Sequence, residues 1–394
     1  MNAETPHRLP FNPAMLSWAR DWRGRSIEEA AKKLSVDPAK IVAWEQGAAI
    51  PTARQGRVLA AFYDRPFLEF FLSKTPRAAQ SELVPDFRLH KDAPDPKGDR
   101  ELRVIQDWAE GMRHNALDLY ALLGEAPPRL QDVRATLATN PERAAQDTRR
   151  ASDFTIEDQV GRRSAERGQV AKLIRQEIEG LGVLVLKESG LRKYGVRGLT
   201  IFADPLPVIV FGAEAPTAQA FTLCHELGHI ILQQSAISGP PTAQNGQSDA
   251  EKSERWCDEF AGAFLVPAAA LAALWARPNQ PQAGIGDDHL RELANYFSIS
   301  RHAMMIRLDH LGYVSSSFYW EIMRPKFLRE EADFKGGGRP EYYGTRFRNS
   351  NGDLYTGLVL QAWGSRRITN HNAAELMGTN SLEHLSDIRD HFYT

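Results

Sequence analysis

The stretch FTLCHELGHIILQ, Phe221 to Gln233, decides the fold, because it predicts a helix that carries two histidines on one face. Residues four apart in a helix lie one above the other, so His225 and His229 can both reach one metal ion. Glu226 lies one step further round the helix and can reach a water molecule bound to that ion. The stretch therefore predicts a metal-binding helix whose remaining ligand comes from elsewhere in the chain.

The pattern His-Glu-x-x-His is the one that zinc proteases use, and catalytic zinc takes three protein ligands and one water. The next predicted helix begins at Asp249 and offers four carboxylates: Glu251, Glu254, Asp258 and Glu259. Glu254 is the preferred third ligand, because it shares a helix face with Asp258. Asp258 can then accept a hydrogen bond from the far ring nitrogen of a ligand histidine. One Zn²⁺ per chain is expected, with Glu251 and Glu259 as alternatives for the third ligand.

The 394-residue chain has the composition of an ordinary globular protein and a formal net charge of −2 at pH 7. Its length predicts two or three domains, and its charge balance neither favours nor excludes nucleic acid as a partner. No apolar run approaches the roughly 18–20 residues that span a bilayer, so no membrane role is predicted. The N-terminal sequence MNAETPHRLPF lacks the pattern of a signal peptide, and the chain contains two cysteines. These features predict a cytoplasmic protein.

The N-terminal part of the chain has the pattern of short amphipathic helices separated by tight turns. Ser26 and Glu29 form a capping box at the start of one helix, and Asp37 followed by Pro38 marks the start of the next. Two short helices joined by a three-residue turn are typical of the helix-turn-helix motif. Over Trp18–Phe71 the chain resembles the phage-repressor class of helix-turn-helix domains, in its turn, its Trp-Glu-x-Gly ending and the Pro-Thr that follows.

This resemblance implies a DNA-binding surface. Its candidate contacts are Arg25, Lys40, Trp44 and Arg54. Two departures weaken the interpretation: Ile27 replaces the usual glutamine after the helix-start serine, and the second helix presents Ala39, Val42 and Ala43. Base edges are read by hydrogen-bonding side chains, and this surface offers few. A protein-interaction or packing module remains the alternative.

The middle of the chain predicts a linker followed by helices and then strands. The linker covers residues 84–99, and the predicted helical stretches cover 102–123, 129–168 and 169–180. Three short segments rich in β-branched residues then predict strands. These segments are Val183–Leu186, Leu199–Phe202 and Val208–Phe211. A small sheet beside a His-Glu-x-x-His helix is the usual zincin scaffold, so the order of elements supports a metallopeptidase domain.

The C-terminal part predicts further helices and one hairpin. Residues 287–314 have a second helix-turn-helix pattern, with its turn at 298–300. For this segment, packing beside the catalytic domain is preferred to DNA binding. The triple glycine at 336–338 marks a boundary. Residues 342–361 predict paired strands around the Asn-Gly turn signal at 351–352, and residues 369–392 predict two closing helices.

The fold class expected from these elements is α+β and mainly helical. A helix-turn-helix bundle precedes a zincin-like domain with a small sheet, and a C-terminal helical or α+β extension follows. The domains are predicted as residues 1–75 (helix-turn-helix), 76–168 (linker and helical region), 169–286 (metallopeptidase core), 287–335 (helix-turn-helix-like subdomain) and 336–394 (C-terminal region).

From about residue 180 to 314 the chain resembles the ImmA/IrrE family of metallopeptidases, and more loosely from the VPDFR linker to the C-terminus. The resemblance is carried by GVLVL, FTLCHELGH, ERWCDEFAGAFLVP and LANYFSISRHAMMIRLDHLGYV. In the third of these, five residues match the family pattern: Glu254, Cys257, Asp258, Phe260 and Ala261. The resemblance implies that Glu254 is a metal ligand. It also implies a cytoplasmic protease that cleaves a transcriptional repressor after a stress signal, in a chain that commonly includes a helix-turn-helix domain.

The expected chemistry is zinc-dependent peptide hydrolysis with Glu226 as the general base. One alternative is a helix-turn-helix DNA-binding regulator whose metal site is structural or sensory. A protease of the defence or toxin type is another. By residue type alone, four side chains are candidates for stabilising the oxyanion, although a surface or packing role is preferred for each: His302, Tyr296, Arg291 and Arg301.

Cys224 and Cys257 lie beside proposed site residues, which raises the hypothesis of a disulfide redox switch. The preferred interpretation is that both are small buried hydrophobic residues, which is how free cysteine commonly behaves.

Overall fold

The computed structural model describes residues 10–63, 65, 67–73, 96–130, 133–164, 166–239, 248–275, 285–333, 342–379 and 381–393. The chain divides into two compact units. The first contains the described residues up to Val104, and the second contains those from Ile105 onward. The predicted linker lies outside the described residues up to position 95, and its last four residues are the start of a helix instead. The finer division into five domains stays a prediction.

The first unit is helical. Its elements are α1 (Pro13–Arg23), α2 (Ile27–Leu34), α3 (Pro38–Glu45), α4 (Ala53–Tyr63), a 3₁₀ helix (Phe67–Phe71) and the beginning of α5 (Pro96–Leu123). The predicted local signals are present, because Ser26 and Glu29 form a capping box on α2 and the Asp37 side chain caps α3. Aromatic and aliphatic side chains, among them Trp44 and Phe70, form a separate hydrophobic core. Trp44 is only 2% exposed, which contradicts its prediction as a DNA contact.

The second unit contains the rest of α5, the sheet and the remaining helices. The strands are β1 (Leu184–Lys187), β2 (Gly198–Ile201), β3 (Val208–Phe211) and β4 (Ala236–Ser238). The helices are α6 (Pro141–Ala151), α7 (Gln169–Gly180), α8 (Pro216–Ile231), α9 (Asp249–Leu265), α10 (Ala268–Trp275), α11 (Asp287–Tyr296), α12 (Arg301–His310), α13 (Arg324–Ala332), α14 (Tyr343–Gly364), α15 (Asn370–Leu376) and α16 (Leu382–Phe392). A 3₁₀ helix at Ser189–Tyr194 and a π-helical segment at Phe318–Met323 complete the described elements.

The sheet has the strand order β1-β3-β2-β4. β1 runs parallel to β3, whereas β2 runs antiparallel to both β3 and β4. The three predicted strands are confirmed, and β4 was not predicted. The helix α8 packs against β2 and β3, and its apolar residues join those of α7, α9 and α12 in one large core. The protein is thus α+β and mainly helical, with the histidine-bearing helix in the middle of the core.

Two predictions from the sequence are wrong. Residues 342–361 form most of the helix α14 rather than a hairpin, and Gly352 (φ 82°, ψ 169°) produces a kink in that helix. Within 129–168 the described residues contain one helix, α6, and otherwise turns and irregular structure. The helices predicted around 169–180, 287–314 and 369–392 are confirmed.

Among the described residues, no single helix is long and apolar enough to cross a bilayer. Taken together, α9 and α10 pass that test by length and composition, but a bend of 55° separates them.

Candidate metal site

The packing of α8 against α9 builds the candidate site. α8 contributes His225 and His229 from consecutive turns of one face, and α9 contributes Glu254 and Asp258 in the same way. α9 begins at Ser248, whose side chain forms a capping box with Glu251. The carboxylate of Glu251 accepts hydrogen bonds from the Ser248 amide (3.0 Å) and hydroxyl (2.6 Å). Glu251, one of the alternatives for the third metal ligand, is therefore engaged in capping α9.

Three potential ligand atoms converge between the two helices. The Nε2 atoms of His225 and His229 lie 3.3 Å apart. The carboxylate of Glu254 lies 3.3 Å from the first of these nitrogens and 3.1 Å from the second. A tetrahedral ion with bonds of about 2.0–2.1 Å separates neighbouring ligand atoms by about 3.3 Å. The donor set of two imidazoles and one carboxylate therefore fits a four-coordinate metal ion such as Zn²⁺ in both spacing and chemistry.

Asp258 orients the first histidine. Its Oδ1 lies 2.9 Å from His225 Nδ1, so the Nδ1–H can donate to Asp258, and Nε2 is the ring nitrogen that faces Glu254 and His229. Burial disfavours protonation of His225, but Glu254 and Asp258 outweigh it and raise the pKa of His225 well above its ordinary value. A metal ion bound at Nε2 would therefore have to displace a proton from this ring.

The carboxylate of Glu254 is ionised at neutral pH. Burial acts to raise its pKa, but the two histidines outweigh burial and lower the pKa to about 2. An ionised carboxylate is the form that binds a metal ion, so the third potential ligand is available.

Glu226 is fully buried and is held by β2. Its Oε2 accepts a hydrogen bond of 2.6 Å from the Thr200 hydroxyl, whereas its buried Oε1 has no hydrogen-bond partner. Gly198 makes this position accessible to the carboxylate, because a Cβ at residue 198 would overlap Glu226 Oε1. Burial raises the pKa of Glu226, and the nearby histidines oppose the rise. Glu226 therefore has one oxygen fixed and one oxygen available to accept a proton.

Thr200 and Gly198 were not identified from the sequence. A usable signal was present, since residues two apart in a strand face the same side. β2 lies two elements before α8 in the chain, and its pairing with β3 places it beside that helix.

A small pocket of about 10 Å³ opens at the site, roughly the room for one water molecule. Ser238 on β4 contributes to its wall, with its hydroxyl 3.3 Å from His229 Nε2. Arg197 also lines this pocket, and it forms ion pairs with Glu214 (3.7 Å) and Glu331. Arg197 is therefore the arginine at the metal pocket, and the sequence patterns did not identify it.

The four oxyanion candidates lie elsewhere. His302, Arg291 and Arg301 line a second, larger cavity. His302 is buried there between Glu331 and the Tyr319 hydroxyl, at 2.7 and 3.0 Å. Tyr296 accepts a backbone hydrogen bond from Gly161 at the end of α11.

Cys224 and Cys257 are both free thiols in the core. Burial raises the pKa of each thiol. The thiolate is the reactive form of cysteine, so this environment favours the interpretation that both are small core residues.

The remaining candidate DNA contacts lie on the surface of the first unit. Lys40 and Arg54 are exposed, whereas the guanidinium of Arg25 stacks over the Phe62 ring at 4.8 Å. The DNA-binding role of these residues stays a prediction.

Residues 178–309 match the model of the IrrE N-terminal-like domain, Peptidase_M78. The matched region contains the sheet, α8, α9 and the three converging ligand atoms. The match supports the resemblance to the ImmA/IrrE family and a metallopeptidase-type function. No curated protein shows significant similarity to the chain.

Proposed function

We propose that this protein is a zinc-dependent endopeptidase of the His-Glu-x-x-His type that cleaves a specific regulatory protein. A transcriptional repressor in the cytoplasm, in a stress-linked or mobile-element-linked response, is the proposed substrate. The observation that carries this proposal is the combination of three converging ligand atoms with a buried carboxylate whose Oε1 has no hydrogen-bond partner. A structural metal site needs no such carboxylate beside the ligands.

In the proposed reaction, His225, His229 and Glu254 hold the zinc ion, and Asp258 maintains the required tautomer of His225. The bound ion supplies Lewis-acid chemistry, in that it polarises the scissile carbonyl and lowers the pKa of a water molecule. Glu226 accepts the proton of the attacking water at Oε1 and then delivers it to the leaving amine. Thr200 keeps the other oxygen in place through both transfers.

The test is the Glu226→Gln variant, compared with the unmodified protein during co-expression with a repressor encoded next to its gene. Gln preserves the size of the side chain but cannot accept the proton. We expect one zinc per chain in both proteins by elemental analysis, and cleavage of the repressor only by the unmodified protein. Cleavage by Glu226→Gln at the normal rate would refute the role of this residue.

A matched pair of variants tests the ligand set. Glu254→Gln should lower the zinc content, whereas Glu259→Gln, the same substitution five residues further along α9, should leave it unchanged. Loss of zinc in Glu259→Gln but not in Glu254→Gln would instead identify Glu259 as the third ligand.

The second candidate function is DNA-binding regulation by the first unit, proposed as a helix-turn-helix domain, with a structural or sensory metal site. The exposed cations Lys40 and Arg54 favour it. In that case the protein binds an operator with strong salt dependence, and Glu226→Gln leaves repression unchanged. A defence or toxin-type protease uses the same site chemistry and differs in its trigger.

A further inference from the structure

A second cavity of about 730 Å³ adjoins the metal pocket. Its walls come from the loop before β2, the start of α8, the start of α12 and the end of α13. We call it the arginine cavity, after its five arginines: Arg167, Arg192, Arg197, Arg291 and Arg301. The volume lies within the range of about 300–1,000 Å³ that is usual for small-molecule sites. The metal pocket shares only Arg197 with it.

The charges on the cavity wall do not balance. Five arginines face three glutamates, which leaves a formal charge of +2. The glutamates are already paired, since Glu214 and Glu331 contact Arg197 and Glu330 lies 2.7 Å from Arg301. Carboxylates just outside the wall pair with two of the arginines, since Asp288 contacts Arg291 and Asp287 lies 3.6 Å from Arg301. Arg192 donates to the backbone carbonyls of Glu331 and Ala332.

Of the five arginines that line the cavity, Arg167 has the least complete set of hydrogen-bond partners. One terminal nitrogen donates to Asn295 Oδ1 at 2.5 Å, but Nε is buried without a hydrogen-bond partner. Among the described residues, Arg167 forms no ion pair with a carboxylate. Arg167 lines the cavity and is only partly buried. An anionic ligand in the cavity could therefore accept hydrogen bonds from its terminal nitrogens, one of which already donates to Asn295.

The first turn of α8 lies next to Arg167. A Cβ placed at Gly168 would be 3.4 Å from the Pro216 side chain, so the two segments are adjacent. α8 begins at Pro216 without a side-chain cap, and the N-terminus of a 16-residue helix carries a partial positive charge that favours anions. Arg167 and this helix start thus present positive charge to the same part of the cavity.

Part of the remaining wall is apolar and includes Val196, Ile299 and Phe327, and polar side chains such as Asn295 and Ser300 line the rest. An inorganic anion alone would leave this surface in contact with water. We propose that the arginine cavity is a binding site for a small organic anion. Its charged group lies between Arg167 and the first turn of α8, and its apolar body packs against Phe327 and Ile299.

The experiment uses two related fluorescent dyes and the full-length protein. Anilinonaphthalene sulfonate carries an apolar body and one anionic group, and N-phenylnaphthylamine has a similar body without the charge. We expect one anionic dye to bind per chain, about tenfold or more tighter than the neutral dye. Arg167→Gln should weaken only the anionic dye, by about tenfold. Arg150→Gln, on the exposed face of α6, should change neither affinity.

A cavity-filling variant, Ala218→Phe, should abolish binding of both dyes, with circular dichroism confirming that the protein is folded. Unchanged dye binding in both Arg167→Gln and Ala218→Phe would place the dye elsewhere and overturn the proposal. Equal affinity for the two dyes would also overturn it. Displacement of the dye by an acetylated glutamate-containing tetrapeptide, but not by phenyl phosphate, would assign the cavity to the protein substrate instead. Because the readout is binding, it does not depend on peptide hydrolysis.

Discussion

Glu226 owes its position to two residues of β2 rather than to its own helix. Thr200 fixes Oε2 through a 2.6 Å hydrogen bond, and Gly198 leaves the space that the carboxylate fills. A glutamate on a helix has several rotatable bonds, and holding it in one rotamer costs side-chain entropy. The strand supplies this constraint within the fold, so the proposed general base is preorganised before substrate binds.

We expect Thr200→Val to lower kcat for the cleaved partner protein by about tenfold, since one hydrogen bond to a charged oxygen is lost. Zinc content and KM should not change. The lost bond had favoured the ionised form, so the pKa of Glu226 should rise and the acidic limb of the pH–rate profile should move to higher pH.

Thr200→Ser is the control for this prediction, because it restores a hydroxyl in the same place. It should recover most of the rate and the original pH profile. Equal defects in the valine and serine variants would show that Thr200 contributes packing rather than a hydrogen bond.

The kink in α14 shows how an element can depend on one glycine. Gly352 has φ 82°, and a Cβ there would overlap Glu179 Oε1 and approach the Val185 carbonyl. Beyond the kink, the amides of Asp353 and Leu354 donate to Glu179 Oε2 at 3.0 and 3.2 Å. Glu179 thereby caps the second half of the helix.

We expect Gly352→Ala to destabilise the protein by about 3 kcal/mol or more, from backbone strain and displacement of Glu179. Gly364→Ala, at the end of the same helix where a Cβ meets nothing within 4 Å, should be neutral or slightly stabilising. Denaturant unfolding measures both. Similar losses in the two variants would contradict the role assigned to the kink.

Helix ends and helix faces could be predicted from the sequence where the residues that determine them are close together in the chain. The capping box at Ser26 and the Asp37-Pro38 start fix helix ends through neighbouring residues, and the histidine spacing fixes a helix face. β4 was missed because Ala236–Ser238 is too short to show alternation and becomes a strand only by pairing with β2. The hairpin predicted at Asn351-Gly352 failed because helical packing of the flanking residues overrides a two-residue turn signal. Arg197 reaches the metal pocket through tertiary packing, which no sequence spacing records.

At the scale of the whole molecule, the three candidate metal ligands all belong to the second unit. The first unit has its own hydrophobic core, centred on residues such as Trp44 and Phe70. The converging histidines and Glu254 connect α8 to α9 inside the large core of the second unit. A ligand that binds only the folded state stabilises that state by mass action, and a metal bridging two helices couples its binding to their folding.

Removal of zinc with a chelator should therefore loosen the second unit and spare the first. Without the ion, two imidazoles and a carboxylate face one another in the core, and α8 should separate from α9 more often. Hydrogen–deuterium exchange followed by mass spectrometry should show faster exchange in α8, α9 and β2, with α1 to α4 unchanged. Adding back zinc should restore protection, whereas adding Mg²⁺, which prefers oxygen ligands in octahedral geometry, should not. Faster exchange throughout α1 to α4 would mean that the two units unfold together, and unchanged exchange in α8 and α9 would mean that the site contributes no stability.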